Sequence, residues 1–422
     1  MKIPPAFKSR QFLLYWVGHL ISIAGSQMQV WSLYWHLRTL SDQPLVVSGI
    51  GLARILPIFL FSLVAGVVAD RFNRRKLTIV TQVALGFVAL ILGLRTWQGN
   101  VSLWLVFGLV AIQSIVTAFD VPARQSLIPA LVPRENLANA YSLNSIASKV
   151  GGILGPAISG LVIAYLGLEW AYWINAISYL AVIAALVAMR EIKTEVENRS
   201  LDLRGMLGDM RAGIEFIKNS PIIISAMFLD FFGSFFSSAN TLLPFVARDI
   251  LHVGPVQYGW LSASPSIGTL FIGLYLSQKS KLNRQGMLMS ISVLMFGLAT
   301  ILFGISKWFW LTFLALILIG AFDGLSTIIR NTVRQLQTPG AMRGRMMSIT
   351  QIFFKGGPQL GEMEAGLVAQ AFGVPFAIIS GGIGCVFVAG VIIKKYPQLW
   401  AFNGDDIIQG DLDKNLLPVA GK

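Results

Sequence analysis

Long runs of apolar residues alternate with short polar connections along almost the whole chain. About twenty apolar residues are needed to cross the roughly 30 Å hydrocarbon core of a bilayer, and the runs of this chain approach or exceed that length. They predict twelve transmembrane helices, near residues 11–37, 45–69, 77–96, 101–122, 138–165, 169–189, 221–247, 256–278, 286–305, 308–329, 346–372 and 374–393. The pattern therefore predicts an all-α membrane protein.

A short charged connection separates the second run from the third. Residues 66–76 read Gly-Val-Val-Ala-Asp-Arg-Phe-Asn-Arg-Arg-Lys and contain four cations. Lys and Arg are enriched in cytoplasmic loops of membrane proteins, so this hairpin is expected at the cytoplasmic surface. Threading the spans from a cytoplasmic N-terminus leaves few loop cations outside: Arg38, Arg95, Arg248 and Lys307. We therefore predict that both termini are cytoplasmic.

One long polar connection, residues 190–220, divides the twelve spans into two groups of six. Within it, apolar residues recur at helical spacing from Leu203 to Ile217, which predicts an amphipathic helix at the cytoplasmic interface. The predicted organisation is an N-terminal six-helix half, a linker, a C-terminal six-helix half and a polar tail, at residues 1–189, 190–220, 221–396 and 397–422.

The two halves repeat each other at an offset of 206 residues. The matching positions include a lysine and several glycines: Lys149 with Lys355, Gly151 with Gly357, and Gly155 with Gly361. Chance similarity between apolar segments would not keep such residues in register. We therefore expect two pseudo-symmetric halves related by an axis along the membrane normal, with a substrate site between them at the midplane.

Composition agrees with a membrane protein and argues against other classes. The 422 residues are 55% hydrophobic and 13% charged, whereas about a quarter of the residues of soluble domains are charged. The net charge of +13 is explained by cytoplasmic loops, so no nucleic-acid partner is expected. With one cysteine and three histidines, and no P-loop or nucleophile–base set, we expect no metal, no cofactor and no enzyme activity.

Polar residues inside the spans are candidates for function, because a buried charge is costly in a bilayer. Spans 3, 6, 9 and 12 contain essentially no charge, so we expect them to face lipid while the others enclose a polar interior. The candidates for cavity and substrate contacts are Gln27, Gln29, Trp31, Arg54, Lys149, Asp323 and Lys355. The expected partners are a small-molecule substrate, the proton and membrane lipid, and the protein is expected to be a monomer.

Three carboxyl groups are candidates for proton coupling. Asp230 lies about nine residues into span 7, some 14 Å deep at 1.5 Å per residue, where desolvation favours the neutral acid. The alternative is an Asp230 that is permanently paired with a neighbouring cation. Glu362 shares a helical face with Lys355, which favours a standing ion pair, and Glu364 is the second candidate. His19 in span 1 either titrates near neutral pH or simply forms a hydrogen bond.

Small residues in span 5 predict a close contact with a neighbouring helix. Gly151, Gly155 and Gly160 recur at intervals of four or five residues, and Pro156 removes one backbone hydrogen bond and permits a bend. One interpretation is a pivot in each half of the protein. The other is a packing face without a role in movement.

These motifs resemble those of a known transporter family. Residues 66–76 are similar to the loop between spans 2 and 3 of the major facilitator superfamily, and residues 151–160 are similar to the span 5 signature of its proton-coupled antiporters. Residues 119–145 resemble the branch that contains siderophore exporters of the enterobactin type and macrolide efflux pumps. The resemblance implies rocker-switch export, driven by protons, in a bacterial inner membrane.

Two departures limit what the resemblance implies. Many drug–proton antiporters carry an arginine in span 4, but the residues around Gln113 contain no cation. The second-half counterpart of the charged loop, residues 277–284, lacks the aspartate. The coupling residue is therefore not implied by the resemblance, and only the first half keeps the full loop motif.

The charged loop predicts a gate at the cytoplasmic side. Asp70 is placed to cap a helix of the opposite half, with span 11 as the candidate, because a helix N-terminus is positively polarised. Arg71, Arg74 or Arg75 is expected to reach Asp120, near the cytoplasmic end of span 4. Such contacts would form when the inner side is shut and break when it opens.

The leading interpretation is a secondary transporter that exports amphipathic small molecules, drug-like or siderophore-like, by alternating access and proton antiport. One alternative is an uptake facilitator or symporter for a polar metabolite. Others are a lysophospholipid or lipid flippase, or a non-transporting membrane sensor, built on the same fold.

Overall fold

The protein was analysed as a computed structural model, which describes residues 4–189, 211, 213–279, 282–338 and 343–403. The regular structure of these residues is helical, and nine segments are long and apolar enough to cross a membrane. Twelve long helices follow the predicted order: α1 (Arg10–Leu40), α2 (Ile50–Arg71), α3 (Arg74–Trp97), α4 (Leu103–Leu131), α5 (Leu137–Tyr165), α6 (Leu168–Ala188), α7 (Pro221–Phe236), α8 (Pro255–Ser277), α9 (Gln285–Ile305), α10 (Phe309–Gln337), α11 (Arg343–Phe372) and α12 (Val374–Lys395).

Several helix starts are defined by polar caps. Ser9 accepts a hydrogen bond from the backbone N–H of Phe12 at the start of α1, and Ser102 does the same for Leu105 at the start of α4. Asn73 caps α3, so only two residues separate α2 from α3. The predicted hairpin between spans 2 and 3 is therefore present. Of the predicted amphipathic helix, the structure describes 211 and 213–218 as helical, and the rest lies outside the described residues.

The predicted ends of spans 4 and 10 are wrong. Residues 122 and 329 were predicted to end these spans, but α4 continues to Leu131, through Pro122 and Pro129, and α10 continues to Gln337. Packing explains the extension of α4, because Leu127 and Ile128 are buried in the same hydrophobic cluster as Phe12 of α1. The prediction ended each span where polar residues began, whereas burial keeps those residues helical.

Span 7 is also not the continuous helix that residues 221–247 predicted. α7 ends at Phe236, and three short helical pieces follow: Asn240–Leu242, Leu243–Phe245 and the π-helix Val246–Ile250. The break coincides with Ser237 and Ser238, whose side chains compete with helical hydrogen bonding.

The described chain forms two compact units. The first unit comprises Met1–Leu201 with Asn240–Ser266, and the second comprises Asp202–Ala239 with Ile267–Lys422. The segment Asn240–Ser266, which the sequence assigned to the C-terminal half, thus groups with the first unit. The division into halves at residues 190–220 stays a prediction.

Helix pairing within the units follows the sequence repeat. In the first unit, α1 packs against α5 and α6, and α3 packs against α4 and α6. In the second unit, α7 packs against α11 and α12, and α9 packs against α10 and α12. Each pairing in the first unit therefore recurs six helices later.

The glycines of α5 and α11 lie at equivalent contacts. A Cβ atom on Gly155 would lie 2.5 Å from Cβ of Gln27 in α1 and 2.7 Å from the carbonyl oxygen of Ala24. A Cβ atom on Gly361 would overlap the carbonyl oxygen of Phe235 in α7. These glycines permit close helix packing, and their role as a pivot stays a prediction.

Two further glycines of α5 face different neighbours. Gly151 approaches Ile23 of α1, whereas Gly160 approaches Gly259 of α8, inside the first unit. Pro156 is buried within α5. The sequence motif therefore serves contacts with two helices rather than with one.

Part of the predicted polar tail packs against the second unit. The backbone N–H of Gly286, at the start of α9, donates to the carbonyl oxygen of Phe402 at 3.0 Å. Leu399 and Phe402 are buried in the cluster that contains Met289. Residues 404–422 lie outside the described residues.

Candidate functional site

Two arginines occupy equivalent places in the two units. Arg124 in α4 and Arg330 in α10 are separated by the repeat offset of 206 residues, and each lies about two turns before the C-terminal end of its helix. Both are surrounded by polar side chains that arrive from other helices. We call these groups the Arg124 cluster and the Arg330 cluster.

The Arg330 cluster contains a buried ion pair between α7 and α10. Nη2 of Arg330 lies 2.8 Å from Oδ1 of Asp230, and both side chains are almost fully buried. Nη2 also lies 3.7 Å from Oδ1 of Asp323, whose side chain is half exposed. Ser326 and Thr327 accept hydrogen bonds from the two terminal nitrogens at 3.0 and 2.8 Å. The structure therefore places Asp230 against a cation, which was the alternative to an unpaired proton carrier.

A second cation lies beside this pair. Nε of Arg334, one turn after Arg330 in α10, donates to the carbonyl oxygen of Arg330 at 3.3 Å. Two cations and the two carboxyl groups of Asp230 and Asp323 therefore gather in one region of the second unit. A proton added to either carboxyl group would change the balance of charge around Arg330.

The Arg124 cluster contains a carboxylate that is bonded on both oxygens. Oδ2 of Asp120 lies 2.6 Å from Nε of Arg124, one turn away in α4. Oδ1 of Asp120 accepts hydrogen bonds from Thr81 Oγ1 at 2.7 Å and from Gln82 Nε2 at 2.8 Å, both in α3. Asp120 is fully buried. The carboxylate therefore ties α3 to α4.

His19 completes the Arg124 cluster from α1. Its Nδ1 lies 3.0 Å from Nη1 of Arg124. Because a guanidinium can only donate, Nδ1 accepts this hydrogen bond and the proton of the neutral ring lies on Nε2. The ring of Tyr15 stacks on the imidazole with a centroid distance of 5.3 Å. Of the two interpretations of His19, this structure contains the hydrogen-bonded one.

The described residues of the predicted cytoplasmic gate make other contacts. Arg74 donates to the carbonyl oxygen of Ser126, and Arg75 donates to that of Val187, each at 3.3 Å. The side chains of Asp70 and Arg71, at the end of α2, lie outside what the structure describes. In this structure Asp120 meets Arg124 instead, and the gate stays a prediction.

Gln29, a predicted substrate contact, belongs to a buried amide network. Its Nε2 donates to Oε1 of Gln113 in α4 at 3.1 Å, and its Oε1 accepts from Nδ2 of Asn175 in α6 at 2.5 Å. Gln29 is almost completely buried, whereas Gln27 is partly exposed. The network joins three helices of the first unit, and both polar ends of Gln29 are occupied.

Trp31 and Arg54 lie in an aromatic cluster of the first unit. The guanidinium carbon of Arg54 is 4.9 Å from the ring centroid of Tyr34, and Trp31 meets Tyr34 edge-on at 5.5 Å. The hydroxyl of Tyr258 in α8 donates to the carbonyl oxygen of Trp31 at 2.8 Å. The two predicted cavity residues are therefore brought together through Tyr34.

The other predicted residues are dispersed. Lys149 is exposed on α5. In α11, Glu362 is buried and Glu364 is partly buried. The side chain of Lys355 lies outside the described residues, so its pairing with Glu362 stays a prediction.

Arg38 forms a polar contact that the sequence analysis did not predict. At the C-terminal end of α1, its Nη2 lies 3.0 Å from Oδ1 of Asp249, on the π-helix, and Nη1 donates to Asp42. The guanidinium also lies over the ring of Phe245 at 4.7 Å. Nearby, the hydroxyls of Ser48 and Thr241 are 2.8 Å apart. These contacts hold the segment Asn240–Ser266 within the first unit.

Sequence reasoning also missed Arg124 and Arg330 as functional candidates. The predicted spans ended at residues 122 and 329, so both arginines were left in connections. The repeat contained a usable signal, because the two cations match at the offset of 206 residues. A paired cation at the same place in both halves is better explained by a buried partner than by a loop.

Comparison with known proteins agrees with this architecture. The family model described as "Transmembrane secretion effector" matches residues 4–418. The enterobactin exporter EntS of Escherichia coli O1:K1 / APEC is 28% identical over 346 residues, which cover 82% of each chain. EntS of E. coli O139:H28 (strain E24377A / ETEC) matches over the same shares of both chains.

Solved transporter structures show the same fold at lower sequence identity. A bacterial homologue of the human lysosomal transporter Spinster, inward-facing and occupied, has a TM-score of 0.69 at 16% identity and covers 95% of this chain and 97% of its own. A POT family transporter in complex with a thioalcohol-conjugated peptide has a TM-score of 0.72 at 13% identity, with 92% and 96% coverage. The nucleoside transporter NupG has 0.69 at 15% identity, with 93% and 99% coverage.

The helix order, the repeated pairing and these similarities lead to one identification. The described residues contain no cluster of metal-ligating side chains, and the relatives are transporters rather than enzymes. The protein is a secondary transporter and a multi-pass protein of a bacterial inner membrane. It belongs to the transmembrane secretion effector family of the major facilitator superfamily.

Proposed function

We propose that this transporter exports amphipathic small molecules, drug-like or siderophore-like, by alternating access and in exchange for protons. The observation that carries the proposal is the buried pair of Asp230 and Arg330, with Asp323 as a second carboxyl group beside the same guanidinium. A cation shared by two acids can change partner when one acid takes up a proton.

The geometry suggests how the proton would act. Protonation of Asp230 removes the negative charge 2.8 Å from Arg330, while the half-exposed Asp323 lies 3.7 Å from the same nitrogen. The attraction between α7 and α10 then weakens, because Asp323 belongs to α10 itself. A contact between helices that depends on one proton can bias two conformations.

Two observations support the direction and the substrate class. EntS, an exporter of enterobactin by its name, is 28% identical to this chain. Trp31, Tyr34 and Tyr258 supply aromatic surface beside the cation of Arg54, which suits a ligand with an apolar ring and polar groups.

Inverted inner-membrane vesicles test the coupling. Respiration acidifies the vesicle lumen, and a pH-sensitive dye reports protons that leave it when a substrate enters. We expect dequenching when a siderophore or a macrolide is added to vesicles with wild-type protein, and none with Asp230→Asn, which cannot ionise. Glu135→Gln is the matched control, because Glu135 is an exposed carboxyl in the short helix Arg134–Asn136.

Two results would contradict the proposal. Full substrate-dependent dequenching in Asp230→Asn vesicles would remove Asp230 from the coupling step. Substrate movement without any proton flux, or movement out of the inverted vesicles, would favour the uptake facilitator instead of the antiporter.

A further inference from the structure

The Arg124 cluster has the same framework as the proposed proton site. His19 lies nine residues after Arg10, where α1 begins, and Asp230 lies nine residues after Pro221, where α7 begins. Their arginine partners match at the repeat offset. Each unit therefore holds an arginine against a titratable side chain at the same level of its first helix.

The two titratable groups differ in charge, but a proton has the same consequence in both. Asp230 holds Arg330 as an anion, whereas His19 holds Arg124 through the lone pair on Nδ1. A proton on Nδ1 consumes that lone pair and places a second cation beside the guanidinium. In both units, proton uptake therefore ends the attraction between the first helix and the arginine.

The surroundings of His19 make its protonation a charge switch. Within the described part of the chain, α4 contributes Arg124 and Asp120, and α1 contributes the stacked Tyr15. α3 reaches the cluster through the two neutral groups that bond Asp120. α6 contributes the hydroxyl of Tyr179, which also bonds Ser26 and Asn175. These described groups comprise one cation and one anion, and a proton on His19 gives them a net positive charge.

We propose that His19 is a second proton-binding site, and that its protonation releases α1 from Arg124 while Arg124 stays bound to Asp120. The proposal rests on the proposed function only in naming the proton as the ion that the transporter binds. The proton binds to Nδ1, where it replaces the hydrogen bond from Arg124.

The release would reach the charged loop through α4. Ser126 lies two residues after Arg124, and its carbonyl oxygen accepts the hydrogen bond from Arg74 at the start of α3. Leu127, one residue further, is buried in the same hydrophobic cluster as Phe12 and Tyr15 of α1. Separation of α1 from α4 would therefore expose Leu127.

Histidine NMR on the full-length protein in lipid nanodiscs tests proton binding directly. The chain has three histidines, so isotope-labelled histidine gives three imidazole signals, and His19→Asn, His36→Asn and His252→Asn assign them. At pH 8 we expect His19 to be neutral with its proton on Nε2. Between pH 8 and pH 5 we expect conversion to the imidazolium form. A neutral His19 throughout this range would overturn the proposal.

Thiol labelling tests the release of α1. In a Cys385→Ala background, the rate of maleimide labelling of Leu127→Cys is measured at pH 8 and pH 6, with and without His19→Asn. The variant keeps a hydrogen-bond acceptor towards Arg124 but cannot take up a proton. We expect acid to raise labelling at least about threefold over the His19→Asn form, a shift of roughly half of the 1.4 kcal/mol that corresponds to a factor of ten.

Two controls separate this result from other effects. His36→Asn replaces another buried histidine of α1, whose Nδ1 lies 2.8 Å from the neutral hydroxyl of Tyr172, and should leave the acid response intact. Asp230→Asn should also leave it intact, so the test stands even if the antiport proposal fails. Equal labelling with and without His19→Asn at both pH values would overturn the proposal.

Discussion

The Arg124 cluster and the Arg330 cluster share a framework but obtain their carboxylates differently. In the first unit, Asp120 lies one turn from Arg124 on the same helix. In the second unit, the partner at 2.8 Å is Asp230 from α7, and the carboxyl group on the same helix, Asp323, is 3.7 Å away. A duplicated fold can therefore keep a cation in place while its acids move to other helices.

The difference has a mechanical consequence. Asp120 is fixed by two hydrogen bonds from α3 in addition to its arginine, so its ion pair can persist when α1 moves. Asp230 joins α7 to α10, so its ion pair must break if these helices separate. The second unit therefore links charge to helix position more directly than the first, where the neutral His19 connects Arg124 to α1.

Removal of each arginine should produce the largest effect and separate the clusters. Arg330→Met leaves Asp230 buried without its 2.8 Å partner, and we expect a loss of about 3–5 kcal/mol in the free energy of unfolding. Arg124→Met leaves Asp120 with Thr81 and Gln82, and a smaller loss of about 1–3 kcal/mol is expected. Unfolding in detergent measures both. A larger loss for Arg124→Met would reverse the comparison.

The glycine contacts beside the clusters should give an intermediate effect. Gly361→Ala places a methyl group on the carbonyl oxygen of Phe235, and Gly155→Ala places one 2.5 Å from Gln27 Cβ. We expect both to lower the free energy of unfolding by about 1–3 kcal/mol, with Gly361→Ala the more harmful because a backbone atom cannot turn away.

Matched controls exist in both units. Gly108 in α4 and Gly390 in α12 have no atom within 4 Å of an added Cβ, so Gly108→Ala and Gly390→Ala should be neutral or gain up to about 1 kcal/mol from helix propensity. Equal losses at all four positions would show that the close contacts of α5 and α11 do not decide the stability.

The hydroxyl of Thr81 gives the smallest expected change and tests why Asp120 is stable. Thr81→Val removes a hydrogen bond of 2.7 Å to this carboxylate and should cost about 1–2 kcal/mol, whereas Thr81→Ser should recover most of it. In the second unit, Thr327→Val should cost less, because Arg330 keeps Asp230 and Ser326. Thermal unfolding of the three variants measures the order, and equal losses for the valine and serine variants would argue against the hydroxyl.

The order of the helices and the loop between α2 and α3 followed directly from the apolar pattern. The repeat also predicted which glycines meet a neighbouring helix, because Gly155 and Gly361 make the same contact in the two units. The partners of the charged residues did not follow. Arg74 and Arg75 were expected near Asp120, yet their described contacts are backbone carbonyl oxygens.

The sequence by itself determined the class of fold, because the thickness of a bilayer and the cost of burying polar backbone fix the length and helical form of each span. It also determined the register of the two halves. Only the tertiary structure decided how far α4 and α10 extend, and which acid meets Arg330. Those outcomes depend on which helices lie side by side, since a charged side chain remains inside a helix bundle only where a neighbouring helix supplies its partner.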